Sequence, residues 1–252
     1  MRVRFRYAKL GKVRFTSQRD VARMWERALR RAALPVAYSN GFSPRPQLSF
    51  GLALPTGCES LAEYVDVTFD EERVGVEGLE ASSLPLQLSG LMPEGVEVVA
   101  AAPLERGPSS LQEQVTSCEW EIRLGGLGGS STDELVAAFL AAETVPVSRE
   151  RKGRVTLDDI RPSVLRLVAT ELDGAASVVA ETSTHPRGLR PAELVQGIVA
   201  VGGGGTPRNP VVDRACRTKQ WIERDGCRVE PLPAGDGREV AGRAAHTVVC
   251  AS

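Results

Sequence analysis

The 252-residue chain is predicted to be an α+β protein built as two ferredoxin-like (βαββαβ-type) lobes followed by a flexible C-terminal tail. Three observations predict this. Segments with apolar residues at every second position are interleaved with segments at helical spacing. The order strand, helix, strand, strand, helix, strand of the first half is echoed in the second, as a repeat of element order and not of residues. Stretches rich in Gly and Pro at 103–110 and 202–210 then mark the breaks. The expected domains are 1–103, 111–201, and a break and partly disordered tail over 202–252.

The first lobe opens on Arg2-Val3-Arg4-Phe5-Arg6-Tyr7, whose strict alternation predicts a strand with Val3, Phe5 and Tyr7 facing a core and Arg2, Arg4 and Arg6 forming a cationic face. After Gly11, Val13-Arg14-Phe15 continues the extended pattern. Ser17 is the expected N-cap of a helix reaching about Ala33, with Val21, Met24, Trp25, Ala28, Leu29 and Ala32 as its buried stripe. Pro35 ends it, and Val36–Tyr38 begins a short strand. The segment Gly41-Phe42-Ser43-Pro44-Arg45-Pro46 reads as a rigid exposed loop, because two prolines fix its backbone. Strands are expected at 47–54, 63–69 and 96–102, with a glycine-interrupted helix between 71 and 92.

In the second lobe the same reasoning gives a strand at 118–124, a glycine loop at 125–129, and a helix near 132–143. Strands follow at 145–151, 163–170 and 175–182, then a helix near 190–201. The glycine loop lacks the Gly-Lys-Ser/Thr of a phosphate loop and the G-x-G-x-x-G frame of a dinucleotide fold, so it reads as a connection.

Composition narrows the function classes. No apolar run reaches the roughly 18 residues of a membrane helix, and the N-terminus is not that of a signal peptide, so a cytoplasmic protein without membrane contact is expected. Five scattered cysteines (Cys58, Cys118, Cys216, Cys227, Cys250) contain no zinc or iron–sulfur spacing, so no metal site is expected. The two histidines, His185 and His246, lie in no nucleophile context. Charge is balanced overall, 31 Lys+Arg against 32 Asp+Glu, but unevenly placed. Residues 1–50 hold twelve Lys/Arg and two acids; residues 51–105 hold eleven acids and Arg73. Such a block suggests an anionic partner such as RNA, or an acidic protein surface; equally, the two blocks could lie side by side and cancel.

The candidate binding residues are Arg19, Arg23 and Arg27 on the helix, Phe42 and Arg45 in the proline loop, and a second basic patch, Arg149, Arg151, Lys152 and Arg154, in an expected hairpin. Sharing one cleft, the two groups would make a track for a phosphate backbone. Tyr7, Tyr38, Phe42 and Phe50 are the aromatics considered for base stacking. Asp20 is the weak catalytic candidate, since a lone carboxylate can serve as a nucleophile; its position in the first turn argues instead for helix stabilisation.

The run Arg4-Phe5-Arg6-Tyr7-Ala8-Lys9, Gly11 to Ser17 and Asp20-Val21-Ala22-Arg23, followed by Leu34 to Pro46, Leu48-Ser49-Phe50-Gly51 and Pro55-Thr56-Gly57, resembles the bacterial radical SAM-linked protein family, a domain of unknown function. Arg149–Arg151 and Asp159-Ile160-Arg161-Pro162 resemble its second half. Members of that family occur beside, or fused to, a radical SAM protein. The resemblance therefore implies a radical SAM partner, with S-adenosylmethionine and an iron–sulfur cluster in the partner and no cofactor in this chain. Where that family often has His after Thr-Ser, this chain has Gln18, which can hydrogen-bond but not exchange protons near neutral pH. The expected function is thus a non-catalytic accessory protein presenting an RNA or ribonucleoprotein substrate. The alternatives are a stand-alone RNA-modifying enzyme using Asp20, or a pure protein–protein adaptor.

Overall fold

The computed structural model describes residues 1–77, 79–104, 110–127, 129–151, 153–202, 211–224 and 226–232. The chain is α+β and divides into two compact units. The first takes Met1–Ala53 and Leu61–Ser110 and includes Leu232; the second takes Leu54–Ser60 and Leu111–Pro231.

The first unit runs β1 (Arg2–Lys9), a 3-10 turn (Gly11–Phe15), α1 (Gln18–Arg31), β2 (Leu48–Phe50), β3 (Glu59–Thr68), α2 (Glu71–Glu77), α3 (Leu84–Ser89) and β4 (Val96–Pro103). The first two residues of β3 belong to the second unit. Its strands lie in the order β4-β1-β3, with β2 on the other edge of β3. Alternation on β1 and helical spacing on α1 bring Phe5 and Tyr7 against Trp25, with ring centroids 5.4 and 5.3 Å apart. All three rings are buried and anchor a core shared with Val21, Leu29, Val65, Val67 and Val98.

Three expectations for this unit are corrected. Gly11, at φ +68°, turns the chain out of β1, so Val13-Arg14-Phe15 is a 3-10 turn and not extended. The arginines of β1 do not form an exposed cationic face: Arg4 and Arg6 are buried. Arg4 donates from Nε and Nη2 to the two oxygens of the buried Asp66 carboxylate at 2.7 and 3.0 Å, and Arg2 donates to the same group at 3.1 Å. Lys9, also buried, donates to the Thr16 carbonyl. A guanidinium can enter an interior only with its donors satisfied, and the acidic block supplies Asp66 for that purpose. The helix expected over 71–92 is broken into α2, a 3-10 turn (Ala81–Ser83) and α3.

The second unit runs α4 (Leu111–Gln114), β5 (Val115–Gly125), α5 (Gly129–Ala141), β6 (Pro146–Arg151), β7 (Arg154–Asp159), β8 (Val164–Leu172), β9 (Ala175–Ser183), α6 (Pro191–Val201), β10 (Val211–Arg224) and β11 (Cys227–Val229). Its strand order is β10-β5-β9-β8, with neighbours antiparallel, β11 paired to β10, and β6–β7 a separate hairpin. Cys216 and Arg217 of β10 pair in parallel with Glu59 and Ser60. The Cβ direction of Gly197 in α6 meets Ile160 and Val145 side chains at 2.6 and 2.9 Å, so only glycine lets the helix approach this closely.

Here the expected tail is corrected. Residues 211–224, expected to lie in the partly disordered tail, are a 14-residue strand paired along β5. Register shifts at Val212/Arg214, Arg217/Lys219 and Trp221/Ile222 interrupt its alternation, and Arg217 and Gln220 are buried within it. The Arg217 guanidinium lies 5.5 Å from the Trp120 ring, which gives a buried cation an aromatic face. Residues 105–109, 203–210 and 233–252, and with them most of the expected linker, break and tail, lie outside the described residues.

Candidate nucleic-acid interface

Helix α1 starts on a capping box. Ser17 Oγ accepts from the Asp20 backbone N–H at 3.3 Å, and the Asp20 carboxylate accepts from the Ser17 hydroxyl at 2.7 Å and the Ser17 N–H at 3.2 Å. Those bonds from Ser17, with lesser help from Arg23 and Arg19, hold the Asp20 carboxyl below its ordinary range. The Asp20 carboxylate thus serves as the helix cap, and its lowered pKa keeps it ionised.

Burial of Val21, Trp25, Ala28 and Leu29 turns the opposite side of α1 to solvent. Arg19, Arg23 and Arg27 all lie exposed there. Four-residue spacing stacks them on one stripe, about 6 Å apart along the axis. Arg23 reaches Asp20 at 3.6 Å, an exposed pair that leaves its charge available to a partner. Arg30 and Arg31 continue the exposed basic run at the C-terminal end, where the helix dipole favours cations.

Beyond α1 the chain forms a ribbon with a closed base. Ala37 N–H donates to the Thr68 carbonyl at 2.8 Å and Thr68 N–H to the Gln47 carbonyl at 3.1 Å, fixing both arms to β3. Gln47 N–H to Ala37, Ser39 N–H to Arg45, and Arg45 N–H to Ser39 Oγ then zip the arms together. Gly41, at φ +136°, takes a backbone conformation at the tip that a side chain disfavours. The tip presents Phe42 wholly to solvent, with Arg45 exposed and Tyr38 45% exposed at the neck. The expected exposure of the loop is thus observed. Of the other aromatics considered for stacking, Tyr7 is core and Phe50 half-buried.

Sequence reasoning missed Phe15. It is 63% exposed at the end of the 3-10 turn, with the Arg14 guanidinium 4.7 Å from its ring centroid. Gly11 carried the available signal: a turn there takes Phe15 out of the alternation of β1.

The second basic patch has a different character. Arg149 in β6 is partly buried and reaches Glu193 at 3.3 Å. Glu193, in the first turn of α6, also accepts from Arg187 and from the Arg190 backbone N–H, and Arg187 bridges on to Asp158. Arg149 is thus a member of an ion-pair cluster within the second unit, with its guanidinium engaged by Glu193. The side chains of Arg151 and Arg154, at the facing ends of β6 and β7, and the whole of Lys152 lie outside the described residues.

A model of the bacterial family described as "Uncharacterized protein conserved in bacteria (DUF2344)" matches residues 2–191. The chain belongs to this family. No curated protein matches it. Among solved structures, it is similar to a chain of a Cbf5-Nop10-Gar1 complex, with TM-score 0.46 and 10% identity over 86% of this chain and 49% of that one. It is also similar to a chain of an archaeal box H/ACA sRNP Nop10-Cbf5 complex, with TM-score 0.43 and 9% identity over 86% and 47%. The chain thus spans about half the length of these solved chains. Among the described residues, no helix is long and apolar enough to cross a membrane.

Proposed function

We propose that this protein is a non-catalytic accessory subunit of a separately encoded radical SAM protein, and that it presents an RNA or ribonucleoprotein substrate through α1 and the 37–47 ribbon. The observation that carries the RNA part is the exposed stripe Arg19, Arg23 and Arg27, whose carboxylate neighbour Asp20 is already engaged by Ser17. Guanidinium groups at this spacing suit successive phosphates, and they bind by releasing counterions. The partner part rests on the resemblance of residues 4–57 to radical SAM-linked proteins. The reading takes both units as ferredoxin-like lobes. It is supported by the parallel orders β4-β1-β3-β2 and β10-β5-β9-β8, the second with the β6–β7 hairpin inserted after α5.

The test is to express the full chain alone and with the radical SAM protein encoded beside it, purify at moderate salt, and record the ultraviolet absorbance ratio and the copurifying protein. The proposal expects nucleic acid bound to the chain and a stable complex with the partner. A nucleic-acid-free complex would make the protein an adaptor, and a chain that binds neither would overturn both parts. Activity on RNA without any partner would favour the stand-alone enzyme.

A further inference from the structure

Among the described residues, the exposed aromatics Phe15, Tyr38 and Phe42 all fall within residues 15–42, inside the same basic block as the α1 arginines. The remaining aromatics of that block, Phe5, Tyr7, Trp25 and Phe50, are buried or half-buried. A phenylalanine left in water forgoes the stabilisation that burial of its ring would return. Phe42 does so on a ribbon whose neck is tied by six backbone and side-chain bonds and flanked by Pro44 and Pro46, so it is held out and not merely loose. Each exposed ring also has a cation in its own segment: Arg14 over Phe15, and Arg45 in the loop with Tyr38 and Phe42.

Arginines on a helix would serve a duplex and a single strand equally, since both offer phosphates. The aromatics decide between them. In A-form RNA the base faces are covered by their neighbours, and proteins read its shape and 2′-hydroxyls; an unpaired base offers a free π-face. Stacking of an aromatic on such a face tolerates any base and needs no groove. We infer that the ribbon tip is a base-stacking site and that the RNA bound by this protein is single-stranded where Phe42 meets it, with Arg45 and the α1 arginines on the adjoining phosphates. The inference rests on the RNA-binding reading above and names the class of RNA. Pre-organisation of the tip keeps the ordering cost of binding small.

The experiment measures fluorescence anisotropy of a short labelled single-stranded RNA of mixed sequence, and of the same strand annealed to its complement, with the full chain and with F42A and F42W. Phe42 touches no core, so each variant folds as the parent does. The expected result is tighter binding of the single strand than of the duplex. F42A weakens single-strand binding about 5- to 150-fold, as loss of one stacked base predicts, leaves duplex binding and the salt slope unchanged, and F42W restores it. Equal affinity for both RNAs, or a single-strand affinity that F42A does not alter, overturns this inference and leaves the RNA reading standing. Failure of the parent chain to bind either RNA overturns both. An F42A defect confined to the complex with the radical SAM protein overturns the stacking site and makes Phe42 a protein anchor.

Discussion

In strand β1, Arg4 is buried and clamps Asp66 with two hydrogen bonds, whereas in helix α1 Arg19, Arg23 and Arg27 stand in solvent. Both groups come from the same basic block, and composition does not distinguish them. What distinguishes them is their periodicity against their surroundings. Strand β1 is buried along all but its first residue, so its alternate residues are enclosed even when charged, and each must find a polar partner. A helix lying on a sheet buries one stripe and keeps the other wet. The apparent dipole between residues 1–50 and 51–105 is therefore partly spent inside the fold, where Asp66 meets Arg2 and Arg4. The part that survives is on α1 and the ribbon.

The comparison breaks most severely at Asp66. Asp66→Ala leaves Arg4 buried without its acceptor and is expected to cost about 3–5 kcal/mol, read as a lowered urea midpoint. Replacing Arg4 and Asp66 together by apolar residues of similar size should recover much of that loss. Second in size is the combined change of Arg19, Arg23 and Arg27 to Ala. A slope of about 0.7 per phosphate on single strands implies roughly a 100-fold loss of RNA affinity at 0.1 M salt for three contacts. Its effect on stability should stay within about 0.5 kcal/mol, because these are surface positions.

Smaller effects sharpen the picture. Ser17→Ala removes the N-cap acceptor and should cost about 1 kcal/mol in the same urea assay. Because the Asp20 carboxyl is held below its ordinary value of 3.8, its capping contribution is complete above that pH and is lost as pH falls through the lower folded value. In Asp20→Asn the stability profile should therefore lose part of its fall below pH 3.8. Smallest of all, Arg149→Ala should leave RNA affinity within about twofold of the parent, since that side chain is engaged with Glu193. A large loss there would return the second patch to the binding surface.

Much of this architecture was readable from residues. The alternation of Val3, Phe5 and Tyr7 and the stripe Val21, Trp25, Ala28 and Leu29 gave β1, α1 and their shared core, and Ser17 gave the cap. Two prolines gave the exposed loop with Phe42. Strand β10 was not readable, because three register shifts break its alternation and a buried Arg217 and Gln220 look like surface. The fate of Arg4, Arg6 and Arg149 was hidden for a different reason. Their partners, Asp66, Leu61 and Glu193, are distant in sequence, and pairing across such distances is a property of the fold and not of any local pattern.

The central claim is that the charge left on α1 after folding binds RNA. Its most direct test is the salt dependence of single-stranded RNA binding by the parent chain and by the variant lacking Arg19, Arg23 and Arg27. The account predicts a plot of log affinity against log salt that is shallower by about 2 in the variant, from three lost contacts at about 0.7 each. An unchanged slope would contradict it and place the phosphate contacts elsewhere.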